Sequence, residues 1–218
     1  MRVTILHGDQ RTPEWAAARL GRLTGSDAAA IYAEGRSKGS VSVQRVNLRV
    51  RLALERITGQ SAETEVTVSP SMQRGRDKEA AAIGAYEAAT GQLVQRTAFL
   101  SADALHVGCS LDGHIGDDRE GILEVKCPNS ATHLGYIRAG VFPQEYEAQC
   151  RHNVWVSGAA WCDFVSFDDR MPAPLRLFIV RATRQQLGIP AHEVAALAFL
   201  AEVAAEEAAI RALMEARS

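Results

Sequence analysis

The stretch GILEVKCPNSATH, residues 121–133, decides how the fold of this chain is predicted. Side chains two positions apart in a strand point to the same face of the sheet. Glu124 and Lys126 would therefore lie side by side on one face of a strand. The opposite face carries Leu123, Val125 and Cys127. A strand this apolar is expected to be buried, and buried charges in proteins are paired or bind a metal ion.

A surface ion pair beside a turn would give the same local pattern. In a chain of ordinary composition, an E-x-K triplet is expected about once by chance. The stretch therefore predicts a functional site only when other parts of the chain supply residues that act with it.

Composition limits the class of protein and its partners. The 218 residues are 47% hydrophobic and 23% charged, which is ordinary for a globular protein with one core. A formal net charge of −2 argues against a general binder of polyanions. The most apolar segment, residues 195–201, is too short to span a bilayer, so no membrane partner is expected.

The cysteines and the N-terminal region predict a reduced, cytoplasmic protein. The four cysteines, at positions 109, 127, 150 and 162, form no C-x-x-C pair, which disfavours zinc and iron–sulfur sites. Charged side chains interrupt the first 25 residues, so no signal-peptide core is expected there.

The order of periodic segments predicts an α/β (α+β) fold with a central mixed β-sheet flanked by helices. Helices are predicted at 12–21, 24–32, 42–58, 74–90, 130–139, 143–156 and 191–216, and strands at 1–6, 105–115, 122–127, 162–167 and 175–180. A polar loop is predicted at 34–40. We predict one domain over residues 1–218, with an N-terminal helical part at about 11–90, a core at about 91–180 and the C-terminal helix at about 191–216.

The predicted helix 42–58 carries an apolar stripe and a basic stripe. The apolar stripe is predicted to contain Val43, Val46, Val50, Leu54 and Ile57, and the basic stripe Arg45, Arg49 and Arg56. The basic stripe fits either a solvated face or a contact with a phosphate backbone.

A second carboxylate supports a site at the E-x-K strand. The turn GDDREG, residues 116–121, joins two apolar runs into an antiparallel hairpin, so Asp112 could lie beside Glu124. Two carboxylates in a partly buried site repel each other unless a cation joins them. Oxygen ligands without imidazole or thiolate suit Mg²⁺, or alternatively Mn²⁺. Lys126 would then orient or help deprotonate a water, or stabilise developing negative charge.

With these residues in place, the sequence resembles the PD-(D/E)xK nuclease superfamily, and within it the phage lambda exonuclease and YqaJ-type viral recombinase family. The resemblance covers about residues 11–180 in matching order. Its motifs are EWAAARLGRLTGSD, RGRDKEAAAIGAYEAATG, CSLDG, LEVKCP, and P-x-x-Y-x-x-Q followed by NVWVSG. The proline that precedes the aspartate in the superfamily pattern is Leu111 here.

The resemblance implies a role for each matching residue. Asp112, Glu124 and the main-chain carbonyl of Val125 would bind the metal, and Lys126 would be the catalytic lysine. Further catalytic positions correspond to Glu79 and Gln149. Arg19, Ser26 and Ser110 would bind a terminal 5′-phosphate, an arrangement that an arginine fork and hydroxyls near a helix start could provide. From the residues alone, Arg19 could instead cap its helix and Ser26 could be an N-cap.

The resemblance also implies a function and a set of partners. It implies a Mg²⁺-dependent deoxyribonuclease that degrades one strand of linear duplex DNA from 5′ to 3′ for phage-type single-strand-annealing recombination. A ring-shaped homotrimer, a single-strand DNA annealing protein and the cytoplasm of a bacterial host would go with that activity. Two alternatives stay open, namely a structure-specific or restriction-like endonuclease and a non-catalytic DNA-binding module of the same fold.

Overall fold

The computed structural model describes residues 2–35, 37, 40–62 and 69–218, with the backbone alone at 70–72. Part of the loop predicted at 34–40 and the first residue of the predicted strand 1–6 lie outside the described residues. The predicted helices and strands are otherwise confirmed within a few residues at their ends, with two exceptions. The segment predicted as a helix at 24–32 is a 3-10 helix, and the strand predicted at 105–115 is divided.

The strands are β1 (Thr4–Leu6), β2 (Phe99–Ala102), β3 (Val107–Cys109), β4 (Gly113–Ile115), β5 (Gly121–Lys126), β6 (Trp161–Phe167) and β7 (Leu177–Thr183). The α-helices are α1 (Pro13–Arg19), α2 (Val43–Thr58), α3 (Pro70–Thr90), α4 (Ser130–Ala139), α5 (Gln144–Ser157) and α6 (Ile189–Glu215). Three 3-10 helices cover Gly25–Tyr32, Asp103–Leu105 and Ala173–Leu175.

The predicted mixed sheet flanked by helices is confirmed, and a second sheet lies in the same chain. Strands β4-β5-β6-β7 form the mixed sheet, in which β5 and β6 are parallel and the other pairs are antiparallel. Strands β1-β2-β3 form a separate antiparallel sheet. The predicted hairpin arm 105–115 was wrong as one strand, because its first half pairs with β2 and its second half with β5.

The two faces of β5 differ as the alternation of its sequence predicts. One face packs on α3, in a buried cluster that includes Leu123, Val125, Cys127, Ala82, Ile83 and Tyr86. The other face turns toward α5, which contributes Gln149 and Asn153 beside Glu124. A buried strand of this kind holds a charged side chain only where an adjacent element supplies polar partners.

Local capping explains where the helices begin and end. The Thr12 hydroxyl accepts a hydrogen bond from the Trp15 N–H at the start of α1, and the Ser42 hydroxyl accepts one from the Gln44 N–H at the start of α2. Gly59 ends α2 with a φ of 65°, in the left-handed region that glycine adopts without strain.

The apolar stripe predicted for α2 was wrong, because the buried residues lie on nearly the opposite side of the helix, which is the side that also carries Arg45 and Arg49. The structure buries Leu48, Leu52, Ala53 and Glu55, whereas the Val43 side chain is 73% exposed. The cause is α6, which packs along α2 and pairs Glu202 with Arg45 and Glu206 with Arg49. The basic stripe is therefore neither fully solvated nor available as a whole to a phosphate backbone, because α6 occupies part of it.

The C-terminal helix α6 extends over 27 residues and contributes Ala196, Phe199 and Val203 to the core. Its acidic side chains provide the partners of the α2 arginines. Within the described ranges, no helix has both the length and the apolarity that crossing a membrane requires.

Candidate active site

Asp112 lies where the chain passes from β3 of one sheet to β4 of the other. Its Oδ2 accepts a hydrogen bond of 2.7 Å from the Val125 N–H in the middle of β5. The next residue, Gly113, is paired with Leu123 across the β4–β5 ladder. The structure therefore places Asp112 beside Glu124, as the predicted hairpin requires.

Glu124 is buried, with 2% of its surface exposed, and both of its carboxylate oxygens accept hydrogen bonds. Oε1 accepts from Lys126 Nζ and, at 2.7 Å, from Gln149 Nε2. Oε2 accepts from Asn153 Nδ2 at 3.3 Å. Gln149 and Asn153 are four residues apart on α5 and so point to the same face of that helix. The predicted role of Gln149 near the site thus has a structural basis in its bond to Glu124.

The electrostatics of this group favour a cation. Burial, with a smaller contribution from the nearby carboxyls of Asp112 and Glu79, raises the pKa of the Glu124 carboxyl to about 7, although Lys126 acts to lower it. Burial likewise raises the pKa of Glu79, with Asp112 adding to the rise. For Lys126, burial alone would lower the pKa, but Glu124 and Asp112 raise it above the usual value. Lys126 is therefore the protonated partner of this cluster.

A cavity of about 450 Å³ opens onto these residues. Glu79, Asp112, Val125 and Lys126 line it, so three of the five predicted catalytic residues meet at one opening, and Glu124 lies behind Lys126. Tyr146 of α5 forms part of the wall, with its ring centroid 5.1 Å from Lys126 Nζ.

The donor set fits a hard divalent cation in kind. In the part of the chain that the structure describes, no three His, Cys, Asp or Glu side chains are grouped to hold a metal. The predicted set is of a different composition, with two carboxylates and one main-chain carbonyl. These are oxygen ligands of the type that Mg²⁺ uses together with several waters. A cation between Asp112 and Glu124 would also relieve the repulsion that raises the pKa of Glu124.

The three residues predicted to bind a terminal phosphate meet at the end of α1. Arg19 Nη1 donates to the Ser110 hydroxyl at 3.3 Å, and Arg19 Nη2 donates to the Ser26 hydroxyl at 3.2 Å. The Thr24 hydroxyl lies 3.4 Å from the same Nη2. A guanidinium and several hydroxyls in this arrangement match the oxygens of a phosphate group.

Capping does not explain Ser26, because the N-cap of the 3-10 helix is Thr24, whose hydroxyl and backbone N–H both bond to Asp27. Trp15 also lies beside Arg19 and Ser110. Its side chain is only partly buried, its indole N–H donates to the Ser110 hydroxyl at 2.8 Å, and Arg19 lies 4.5 Å above its ring. It belongs to the wall of the phosphate pocket.

We call the group of Arg19, Ser26 and Ser110 the phosphate pocket, and the group of Glu79, Asp112 and Glu124 the acidic cluster. Two features of the chain bring these groups close together. Ser110 and Asp112 are two residues apart, which limits their backbone separation to about 7 Å. The second feature is Gly25, since a Cβ at that position would overlap Asn153 Oδ1. Asn153 in turn donates to Glu124. Glycine at position 25 is therefore needed for the close approach of the pocket loop to α5.

Sequence reasoning missed Asn153, Trp15 and Thr24 as members of the site. Helical spacing could have indicated the first two, because Asn153 follows Gln149 by four residues and Trp15 precedes Arg19 by four. Thr24 could have been identified only from the folded position of Arg19.

The chain is similar in sequence and fold to known proteins. Residues 14–160 match the family described as the YqaJ-like viral recombinase domain. The crystal structure of an alkaline exonuclease from Laribacter hongkongensis is 34% identical, with a TM-score of 0.82, and covers 95% of this chain and 100% of its own. A second structure of that exonuclease, in complex with dAMP, gives the same identity and coverage and a TM-score of 0.83.

A phage-related exonuclease from Haemophilus somnus 129PT is 18% identical, with a TM-score of 0.57, over 85% of this chain and 96% of its own. At that identity the likeness shows a shared fold. No curated protein matches the chain. The family match spans more than half of the sequence in the region that holds Arg19, Asp112, Glu124 and Lys126. The chain is a member of the YqaJ-like viral recombinase domain family.

Proposed function

We propose that the chain is a Mg²⁺-dependent deoxyribonuclease that degrades one strand of linear duplex DNA in the 5′ to 3′ direction. Mn²⁺ is an alternative metal, since it uses the same oxygen ligands. The proposal is supported by the alkaline exonuclease of Laribacter hongkongensis, which is similar over 95% of this chain and is known in complex with dAMP.

One observation carries the proposal, namely the short separation between the phosphate pocket and the acidic cluster. Ser110 belongs to the first and Asp112 to the second. A DNA strand whose terminal 5′-phosphate binds at Arg19 would present its next phosphodiester to Asp112 and Glu124. This arrangement favours removal of one nucleotide at a time from a 5′ end, and so predicts the polarity.

Each side chain of the cluster has a separate task in the proposed hydrolysis. Asp112, Glu124 and the Val125 carbonyl would hold the metal, which when bound would supply Lewis acidity and a more acidic water. Lys126, held protonated beside Glu124, would stabilise the negative charge that develops on the phosphoryl oxygens. Gln149 fixes the orientation of the Glu124 carboxylate through its 2.7 Å hydrogen bond. Glu79 would add a third carboxylate beside the metal, on the wall of the cavity that Asp112 also lines.

The proposed biological setting follows from the family. A nuclease of this type would leave a 3′ overhang for a single-strand DNA annealing protein during phage-type recombination in the cytoplasm of a bacterial host. We also propose that the chain acts as a homotrimer around its DNA. A ring would retain the substrate by enclosure, which a formal net charge of −2 makes more plausible than electrostatic attraction alone.

The test compares duplexes that differ only at their ends. Linear DNA with a 5′-phosphate, linear DNA with a 5′-hydroxyl and closed circular DNA are incubated with Mg²⁺. We expect mononucleotides from linear DNA alone, fastest from the phosphorylated end. Cleavage of the circle would favour an endonuclease, and DNA binding without cleavage would favour a non-catalytic module.

One arginine variant and a control variant test where the 5′ end binds. Arg19→Ala should reduce the stimulation by the 5′-phosphate about 10-fold or more, because it removes a charged hydrogen-bond donor. Arg211→Ala is the matched control, since Arg211 makes an exposed ion pair with Glu207 on α6. Equal stimulation in wild type and Arg19→Ala would contradict the placement of the 5′ end.

A further inference from the structure

A second, smaller cavity of about 250 Å³ adjoins the active-site cavity, and we call it the side cavity. Glu79, Asp112 and Arg11 line both cavities, whereas Arg96 and Thr97 line the side cavity and not the active-site cavity. None of the roles proposed above uses Arg11, Arg96 or Thr97.

Two arginines converge on one carboxylate in this cavity. Arg96 Nη2 donates to Glu79 Oε1 at 3.1 Å, and Arg11 Nη2 lies 3.8 Å from Glu79 Oε2. Their side chains are 53% and 49% exposed, so solutes can reach both guanidinium groups. Surface ion pairs of this kind contribute little to stability and exchange partners readily.

The loop that carries Arg11 is held in a costly conformation. Arg11 has a φ of 68°, in the left-handed region that side chains other than glycine rarely adopt. The preceding residue, Gln10, donates its side-chain amide to the Leu111 carbonyl at 2.8 Å, which ties the loop to the segment that carries Asp112. Residues held in such conformations cluster at ligand-binding sites.

A buried hydroxyl in the same wall lacks a partner. Thr97 is 7% exposed and lines the side cavity, and its Oγ1 has no hydrogen-bond partner within the ranges that the structure describes. A buried polar atom without a partner costs free energy, so a ligand that accepts a hydrogen bond would be favoured there. Two guanidinium groups and one hydroxyl donor suit an oxyanion with several acceptor oxygens.

We propose that the side cavity binds a phosphate group of the nucleic acid, with Arg11, Arg96 and Thr97 as its donors. The phosphate would replace Glu79 as the partner of the two arginines. The inference rests on the proposed nuclease function, because the divalent cation of that reaction would offset the negative charge of the carboxylates that also line this cavity, namely Asp9, Glu79 and Asp112. The phosphate belongs either to the released 5′-mononucleotide or to the strand that remains, and both sources share this chemistry.

The experiment measures binding rather than turnover. Affinities for dAMP and for a 5′-phosphorylated blunt duplex are determined in Mg²⁺ on the Lys126→Ala background, where hydrolysis is slow. Arg96→Ala and Thr97→Val are added singly to that background. Arg19→Ala separates this site from the 5′-phosphate pocket, and Arg211→Ala is the control for loss of an exposed arginine. Circular dichroism checks that each protein is folded.

We expect Arg96→Ala to weaken binding of one probe about 10-fold and Thr97→Val to weaken the same probe about threefold. Weaker dAMP binding identifies the released nucleotide as the source, and weaker duplex binding identifies the remaining strand. For the duplex, the slope of log affinity against log salt should also decrease by about one in Arg96→Ala. Thr97→Val is informative because Thr97 Oγ1 has no hydrogen-bond partner among the described residues, so the variant breaks no hydrogen bond to Glu79.

Unchanged affinity for both probes in both variants would overturn the proposal. That result would leave the proposed function intact if wild type still releases nucleotides in Mg²⁺. Absence of nucleotide release by wild type would instead remove the proposed function, so the two failures are distinguishable.

Discussion

Two carboxyl groups on neighbouring strands are buried to the same extent but differ in the charges that surround them. Glu124 on β5 and Asp163 on β6 are each 2% exposed. Asp163 accepts two hydrogen bonds from Arg181 on β7, at 2.7 and 2.8 Å, and one from the Tyr86 hydroxyl at 2.8 Å. Its partners form a closed set with one matching positive charge.

Glu124 also accepts three hydrogen bonds and has one positively charged partner, but other carboxyls lie near it. Its bonds come from one lysine and two side-chain amides, and two further carboxyls, Asp112 and Glu79, act on it electrostatically. A cavity adjoins Asp112 and Lys126, which face Glu124. The comparison teaches that burial of a carboxyl group does not by itself indicate function. A functional site is indicated when other carboxyls lie close to the buried one beside a cavity.

The largest expected effect is on activity at Glu124. Glu124→Gln should lower the nuclease rate by at least about 10³-fold, because it removes an ionised oxygen ligand from the proposed metal site. Without metal and above pH 7, the free energy of unfolding should be no lower than that of wild type, because the variant lacks the ionisation that burial and the neighbouring carboxyls disfavour. Rates with linear duplex and urea denaturation check the two parts. A fully active variant would contradict the role of Glu124.

The opposite result is expected at Asp163. Asp163→Asn should lower the free energy of unfolding by about 2–3 kcal/mol, because it breaks a bidentate ion pair of a buried carboxylate with Arg181, which is partly exposed. The rate per folded molecule should stay within about threefold of wild type. Denaturation curves and active-site titration measure both quantities. A stable but inactive variant would reverse the comparison.

The pH dependence of stability should also distinguish Glu124. Its pKa rises from the ordinary value of 4.5 to about 7 on folding. Ionisation therefore favours the unfolded state between these values, so this group lowers stability as pH rises from about 4.5 to 7 and adds no further change above. The loss should be on the order of 3 kcal/mol in the absence of metal. Denaturation from pH 4.5 to 8 should show this component in wild type and not in Glu124→Gln. Parallel curves for the two proteins would argue against the shift.

A smaller effect is expected at Gln149. Gln149→Ala should reduce the rate about 10-fold, because residues that orient metal ligands contribute less than the ligands themselves. The apparent affinity for Mg²⁺ should fall with the rate, which a purely structural role would not produce. Magnesium titrations of activity measure the change, with Arg211→Ala as control. A rate equal to that of wild type would mean that Asn153 alone suffices to orient Glu124.

Sequence patterns predicted the surroundings of Glu124 far better than those of Asp163. Alternation in β5 places Glu124 and Lys126 on one face, and the adjacent turn brings Asp112 to them, so local rules suffice. The partners of Asp163 come from β7 and from α3, the latter 77 residues away in sequence. Such pairings depend on strand register and helix packing, which local patterns do not determine.

The error in α2 has the same origin. The predicted apolar stripe and the buried stripe lie on nearly opposite sides of α2, and the helix that packs against α2 selects which side is buried. Here α6 makes that selection, with Glu202 pairing Arg45 across 157 residues. The side cavity was likewise not predicted. Arg11 and Arg96 are distant in sequence, and both lie near Glu79 because of the folded position of α3.

The most direct test of the central claim is nucleotide release by wild type and Lys126→Ala from linear duplex labelled at a 5′-phosphorylated end, with and without Mg²⁺. The account predicts release that requires Mg²⁺ and falls about 10²–10³-fold in the variant, while Arg211→Ala behaves as wild type. Equal release by wild type and Lys126→Ala, or release that is independent of divalent cations, would contradict the claim that the cluster around Glu124 is the catalytic site.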